Sequence, residues 1–387
     1  MDEGNEPLDF DALAAYAKKA STAGKLNGNG HDKLIRSDTN GVAQLIPFSE
    51  MPLEPLLWLR KDWLCRKKLT LIGGMPGCGK TTILLDWMST LSAGSYWPEG
   101  SKAPLGDCIF WSGEDTPSDT LKPRLMRMGG DLSRIHFVTA TLKPGERSRA
   151  FDPSRDMPML KAAIDKMPNP PVLIGLDPMI AVTGKADSHK NAETRNALAP
   201  FIEMVESLNA CAVGIHHLSK GTAGKNPLER LTGSIAFGAL PRIVCVCAER
   251  QDKDEDEAAY VIVRAKCNIG VNGGGYGYDI EAAPLIENPD IDATRIKWGE
   301  PIEGSATQIM DSAEAKQEGA QTKQGQAEAI IRNILADGPA KAVDVFKEAK
   351  DNNISPETVK RAKKKLIEDG KLTSKQGHGG QWWWTLN

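Results

Sequence analysis

One eight-residue stretch, Gly74-Met75-Pro76-Gly77-Cys78-Gly79-Lys80-Thr81, restricts the fold of this chain more than any other segment. The apolar run Leu69-Thr70-Leu71-Ile72 precedes it and Ile83-Leu84-Leu85-Asp86-Trp87-Met88 follows, so the local order is strand, glycine-rich turn, helix. Backbone N–H groups of such a turn and of the first helical turn converge on one point, where an anion is favoured. Gly74, Gly77 and Gly79 are expected to give positive φ and close backbone approach to phosphate oxygens. Lys80 offers a flexible cation to β- and γ-phosphates and Thr81 a hydroxyl to Mg²⁺. The run from Gly74 to Thr82 is therefore the candidate ATP-binding segment, although a loop of this kind holds phosphates and does not read the base.

A phosphate loop needs partners before it can hydrolyse anything, and they should lie at the ends of neighbouring strands. Val172-Leu173-Ile174-Gly175-Leu176-Asp177 is an apolar strand ending in a carboxylate, the Walker B pattern, which makes Asp177 the candidate magnesium ligand. An N-cap aspartate ahead of Pro178 is the competing explanation. Cys108-Ile109-Phe110-Trp111 leads into Ser112-Gly113-Glu114-Asp115; Glu114 is the candidate for polarising the lytic water, and Asp115 suits helix capping. Ala212-Val213-Gly214-Ile215 ends in His216-His217, where a neutral imidazole can hydrogen-bond a γ-phosphate and change partner when it leaves. A metal-binding pair and a plain surface pair are the alternatives for these histidines. Charge on a transferring phosphoryl group is well met by guanidinium, often from a neighbouring subunit, and Arg230 and Arg242 flank a small-residue segment suited to that role. Lys266 and Asn268 lie at a later strand end. Each of these cations is equally readable as an ordinary surface charge.

Length and composition fit this chemistry. The 387 residues allow one α/β domain of roughly 230–260 residues plus smaller pieces. A formal net charge of −3 removes any overall basic field, so nucleic acid would have to be met by local patches or by a channel between subunits. Seven irregularly spaced cysteines suit a reducing cytoplasm rather than a disulfide framework, and Cys245 and Cys247 alternate on one strand, which disfavours a zinc pair. With no signal peptide and no apolar run near 18 residues, a cytoplasmic protein without a membrane partner is expected.

The chain divides into four parts. Residues 1–44 are polar and read as a flexible arm, with a short helix over Leu8 to Ala20. Residues 45–300 alternate strand-length apolar segments with helical patterns. Early strands should be parallel, at Leu69 to Ile72, Cys108 to Trp111, Ile135 to Val138, Val172 to Leu176 and Cys211 to Ile215. Later ones, Ile243 to Cys247 and Tyr260 to Val263, follow each other closely and look antiparallel. Residues 301–326 are rich in Gln, Ala, Ser, Lys and Glu and read as a linker. From 327 to 387 come three helices, the last opened by Ser355 and Pro356, and a two-stranded ribbon, the order of a winged helix-turn-helix.

Taken together, Gly74 to Thr81, Glu114, Asp177, His217-Leu218-Ser219-Lys220, the Gly233-Ser234 to Arg242 segment and Lys266-x-Asn268-x-Gly270 resemble the RecA-like ATPases. Within them the set is most similar to the hexameric plasmid replicative helicases of the RepA type and their prophage relatives. That resemblance implies an α/β RecA-like fold, a mostly parallel sheet with an antiparallel tail, and ATP with Mg²⁺. It implies Glu114 as catalytic base, Lys80 as phosphate cation, His217 as γ-phosphate sensor and Arg242 as a finger acting on a neighbour, with Arg230 and Lys266 as secondary contacts. Two departures stand out. Where DnaB-like proteins read Lys-x-Arg-x-Gly this chain has Asn268, and the arginine that opens Arg-Gly-Ser-Ser-Ala in the plasmid helicases is displaced to Arg230.

The implied partners are single-stranded DNA, further copies of the chain in a ring, and a primase or replication-initiation protein. Lys220 and Lys225, in glycine-containing loops, are candidate channel contacts. Lys360, Arg361 and Lys364 on the third C-terminal helix, with Trp383 on the ribbon, are candidate duplex or docking contacts, although a lysine-rich helix face is also simply solvated. An ATP-switched regulator or recombination mediator, and an interacting loader subunit, remain open alternatives to a helicase.

Overall fold

The computed structural model describes residues 45–142, 147–184, 187–188, 190–219, 221–222, 224–233, 235–251, 253, 257–315, 323–336, 338–377 and 380–387. The expected arm at 1–44, with its helix, lies outside the described residues, as do Lys220 and Ser234. Contacts separate residues 1–55 from residues 56–387. In the first unit the described part is a strap with one short turn at Phe48–Glu50, along which Leu45, Phe48 and Leu53 are exposed.

The second unit begins with the hairpin β1 (Trp58–Arg60) and β2 (Leu64–Cys65). Its main sheet contains β3 (Leu69–Gly74), β4 (Cys108–Ser112) and β5 (Ile135–Phe137). After the small hairpin β6 (Ala140–Thr141) and β7 (Arg149–Ala150), the sheet takes in β8 (Leu173–Asp177), β9 (Cys211–His217) and β10 (Ile243–Glu249). Its last strands are β11 (Tyr260–Cys267), β12 (Gly275–Pro284) and β13 (Asp292–Ile302). Spatial order is β13-β12-β11-β10-β3-β9-β8-β4-β5. Every pair from β10 to β5 is parallel, and every pair from β10 to β13 is antiparallel. This is an α/β fold with the parallel core and antiparallel tail of a RecA-like sheet.

Burial on both faces explains why the parallel strands read as continuous apolar runs. Along β10, Ile243, Cys245 and Cys247 enter the core cluster under helix α1 (Lys80–Ala93), while Val244, Val246 and Ala248 enter the cluster on the other face. The first face is closed by α1 and α2 (Lys122–Arg127), the second by α3 (Met157–Ile164), α4 (Asn191–Ser207) and the short α5 (Ala236–Ala239). Helix α1 stops at Gly94, whose left-handed backbone (φ 60°) lets its N–H return to the carbonyls of Leu91 and Thr90.

Two elements depart from the sequence expectation. Strands β12 and β13 are the longest in the sheet yet contain glycines and charges, because one flank of the antiparallel tail is solvated. The stretch after Gly304 has linker composition, but Ala306–Glu314 is helix α6, opened by a capping box between Ser305 and Gln308. Its Ile309, Met310 and Ala313 join the second core cluster, and Glu314 forms a 2.6 Å ion pair with buried Arg230. Removing one partner leaves a buried charge uncompensated. Glu314→Ala is expected to destabilise the domain by about 3 kcal/mol in urea unfolding, with much of that recovered when Arg230 is also replaced by Met. An unchanged midpoint would show that α6 is not anchored by this pair.

Residues 323–387 build a small module from α7 (Lys323–Ile334), β14 (Ala340–Lys341), α8 (Ala342–Asp351), α9 (Pro356–Glu368), β15 (Leu372–Gln376) and β16 (Trp382–Leu386). The sheet has three strands, ordered β14-β16-β15, rather than the two expected. Ser355 Oγ caps α9 by accepting from the Thr358 N–H. Trp384 is buried in the module's own core with Val345, Val359 and Leu366. Trp382 is half exposed and Trp383 partly buried; Lys363 lies over the rings of Trp382 and Trp384 and Lys341 over Trp383, the split that strand alternation gives.

Candidate active site

The phosphate loop joins β3 to α1. Gly77 and Gly79 have φ of 86° and 74°, a backbone that other residues rarely adopt. Gly74 does not; its glycine is required sterically, since a Cβ there would lie 2.5 Å from Cys78 Sγ and 3.1 Å from Cys247 Cβ. Met75, Pro76 and Gly77 face solvent, whereas Cys78, Lys80 and Thr82 are buried. Lys80 Nζ donates to the Met75 carbonyl at 2.9 Å, which folds the side chain back across its own loop.

Parallel register sets the rest of the site. Gly74 pairs with His217, Ser112 with Asp177 and Leu176 with Gly214, so β3, β9, β8 and β4 end on one side of the sheet, with β3 and β9 running two residues further. A crevice beyond the carboxyl ends of such strands is where open α/β sheets bind ligands. Thr81 Oγ1 donates to Asp177 Oδ2 at 2.6 Å, joining the helix start to the apolar strand end. Asp177 is 1% exposed and its Oδ1 has no hydrogen-bond partner. Burial raises its pKa from 3.8 to about 6; the Thr81 bond and Lys80 oppose the rise, and the charges of Glu114 and Asp115 add to it. A buried, unsatisfied carboxylate oxygen beside a threonine hydroxyl is the donor set a hard divalent cation takes, so Thr81 and Asp177 fit Mg²⁺.

Glu114 stands on the loop after β4. Its backbone N–H and that of Asp115 both donate to Ser112 Oγ, at 3.2 and 3.0 Å, which fixes the turn. Its carboxylate is half exposed and lies 3.6 Å from His217 Nε2. Asp115 does not cap the following turn as expected; it pairs with Arg124 at 3.4 Å. The two histidines are unequal. His216 is buried, stacks on Phe237 at 4.3 Å and donates from Nε2 to the Thr232 carbonyl at 2.7 Å, and burial lowers its pKa to about 4. His216 is a core residue and His217 alone reaches the site.

The cations named from the sequence lie elsewhere. Arg230 is buried and occupied by Glu314, so it offers no secondary contact at the site or to another chain. Lys266 Nζ donates to the carbonyls of Gly238, Ala239 and Pro241 at 2.8–2.9 Å and is a backbone cap, not a free contact. Arg242 is exposed, but its N–H bonds the Leu69 carbonyl at the opposite end of β3, about 17 Å along the strand from Gly74 at ~3.3 Å per residue. It cannot serve its own loop. Lys225, Lys360, Arg361 and Lys364 are exposed; Lys360 is 2.7 Å from Glu357 and Lys364 3.8 Å from Glu368.

Residues on the antiparallel tail also hold the loop, and the sequence reading missed them. Tyr278 is fully buried and donates its hydroxyl to the Cys78 carbonyl. Ile280 fills the space beside Gly79, where a Cβ would approach its Cδ1 to 2.7 Å, and Trp298 Nε1 donates to Asp86 of α1 at 2.8 Å. The alternation Tyr276, Tyr278, Ile280 was the available signal.

Strand order, phosphate loop and buried strand-end aspartate together give this domain the layout of a RecA-like P-loop fold. A family model described as an AAA domain matches residues 41–223. Among solved structures, one ATPase domain is similar at 12% identity and a TM-score of 0.43, over 75% of this chain and 99% of that one. The RadB recombinase is similar at 14% identity and a TM-score of 0.38, over 59% and 91%. No curated protein sequence matches the chain.

Proposed function

We propose that this chain is a DNA-dependent ATPase that works as a ring-forming, hexameric replicative helicase of the RepA type, in the cytoplasm of a cell carrying a plasmid or prophage. The observation that carries the proposal is the contact between Glu114 and His217 beside the Thr81–Asp177 bond. Glu114 is placed to take a proton from attacking water. His217 touches the same carboxylate, so a shift of its imidazole toward a γ-phosphate or back reports hydrolysis along β9. Lys80 would meet the phosphates, and Thr81 and Asp177 would hold Mg²⁺, which would supply neutralising charge there. Arg242, turned away from its own loop, is available to a neighbour.

The basic helix α9 and the ribbon bearing Trp382 and Trp383 favour a second reading, an ATP-switched DNA-binding regulator or recombination mediator in which this module, as a winged helix, selects the site. A primase or initiation protein is the expected further partner. Native mass measurement with Mg²⁺ and a slowly hydrolysed ATP analogue separates a ring from a smaller switch. A closed oligomer, with hydrolysis stimulated severalfold by single-stranded DNA, is expected; a strict monomer under all conditions contradicts the proposal.

A further inference from the structure

Two cysteines meet over the first glycine of the phosphate loop. Gly74 closes β3 and pairs in parallel register with Cys247 of β10. The loop folds back so that a Cβ at Gly74 would lie 2.5 Å from Cys78 Sγ and 3.1 Å from Cys247 Cβ, which sets the two side chains together in the space the glycine leaves. The two thiols also share a hydrogen bond. All seven cysteines of the chain are buried in the core cluster under α1, but six of them lie on strands and only Cys78 belongs to the loop. Above it Met75, Pro76 and Gly77 face solvent, so its sulfur lies one layer below an open turn. The hydrogen bond from Cys247 and the nearby Lys80 outweigh burial and hold the Cys78 pKa below the ordinary thiol value, whereas burial pushes Cys65, Cys108, Cys211, Cys245 and Cys247 above it.

The Met75 carbonyl gathers three donors, Cys78 N–H at 3.5 Å, Cys78 Sγ at 2.9 Å and Lys80 Nζ at 2.9 Å. The N–H and the ammonium are donors that a phosphate takes in such a loop, so holding nucleotide requires residue 78 to turn away from Met75. A bond from its sulfur to β10 would prevent that turn, because Cys247 is fully buried in a strand covered on both faces and Tyr278 already holds the Cys78 carbonyl. We propose that Cys78 and Cys247 form a reversible disulfide, under hydrogen peroxide, that closes the phosphate loop to nucleotide. This rests on the proposed nucleotide site at Gly74–Thr81 and not on assembly or DNA. In the first step the Cys78 sulfur attacks one peroxide oxygen; an S–O bond forms, the O–O bond breaks, and the departing hydroxide takes the thiol proton as water. The Cys247 sulfur then attacks the sulfenic sulfur; the S–S bond forms, the S–O bond breaks, and the hydroxyl leaves with the Cys247 proton as a second water. The thiol pair is oxidised by two electrons and the peroxide is reduced to water. Transient disulfides of this kind are the sort that serve redox sensing in a reducing compartment.

The test compares the full chain reduced and after hydrogen peroxide. Mass spectrometry of the oxidised chain should find a peptide cross-linked between Cys78 and Cys247. Titration with a fluorescent ATP analogue should show affinity weakened by about tenfold or more, and dithiothreitol should restore it. By reciprocity, a slowly hydrolysed ATP analogue with Mg²⁺, present in excess during oxidation, should suppress the cross-link. Cys247→Ser leaves the loop's own sequence intact; it should bind nucleotide like wild type and keep that affinity after peroxide. Absence of the cross-linked peptide, or a cross-linked chain that binds nucleotide as tightly as the reduced one, overturns the inference. So does an equal loss of affinity in Cys247→Ser, which would assign the effect to oxidation of Cys78 alone. Cys247→Ala carries the same comparison if the serine variant does not fold. Failure of the nucleotide site itself is seen separately, as a reduced wild-type chain that binds no nucleotide.

Discussion

Glu114→Gln is expected to lower ATP turnover by about 10³-fold while nucleotide affinity stays close to that of wild type. Gln keeps the side chain's size and the Ser112 turn that holds its backbone, but loses the proton acceptor. The proposed nucleotide contacts are the loop, Lys80 and Thr81, none of which depends on Glu114 for position. Single-turnover hydrolysis alongside titration with a fluorescent nucleotide separates the two quantities. A loss smaller than tenfold would mean that another group takes the proton. Asp115, already engaged by Arg124, would then be the residue to examine.

The second large effect is two-sided. Asp177→Asn is expected to cut Mg²⁺-dependent turnover by at least 10²-fold, because the buried carboxylate beside Thr81 is the proposed ligand of the metal. The same change should stabilise the metal-free protein at neutral pH. In the folded chain the carboxyl has a pKa near 6 against 3.8 when unfolded, so the folded state resists its ionisation. The contribution of Asp177 to stability is therefore fully present below pH 4 and is lost as pH rises through 6. Asn carries no charge to bury and can still accept from Thr81, which should return on the order of 2 kcal/mol at pH 7.5. Thermal melts in EDTA should show the variant above wild type at pH 7.5 and level with it near pH 4. A lower midpoint at both pH values would contradict the burial argument.

Much of this site was legible in the sequence, for a local reason. A phosphate loop, and apolar strands leading into Asp177, Glu114 and His217, are written in consecutive residues, and parallel pairing does the rest by bringing their ends to one side of the sheet. What escaped depended on distant partners. Arg230 and Arg242 look alike in the sequence, yet Glu314, 84 residues on, buries the first and leaves the second exposed. Nothing local to Lys266 announces that three carbonyls some 25 residues earlier will take its ammonium. Helix α6 was hidden by linker-like composition, its three buried side chains being too few to dominate the surrounding Gln, Ser and Glu. Strand β12 was hidden by its glycines, although Tyr278 and Ile280 from it brace the phosphate loop.

The central claim is that hydrolysis at Gly74–Thr81 moves DNA. Strand displacement on a forked duplex, by wild type and by Glu114→Gln, tests it most directly. ATP-dependent displacement by wild type, absent from the variant although it still binds nucleotide, is the expected result. DNA-stimulated hydrolysis by wild type without any displacement, on forks of either polarity, would contradict it and leave an ATP-switched DNA-binding protein.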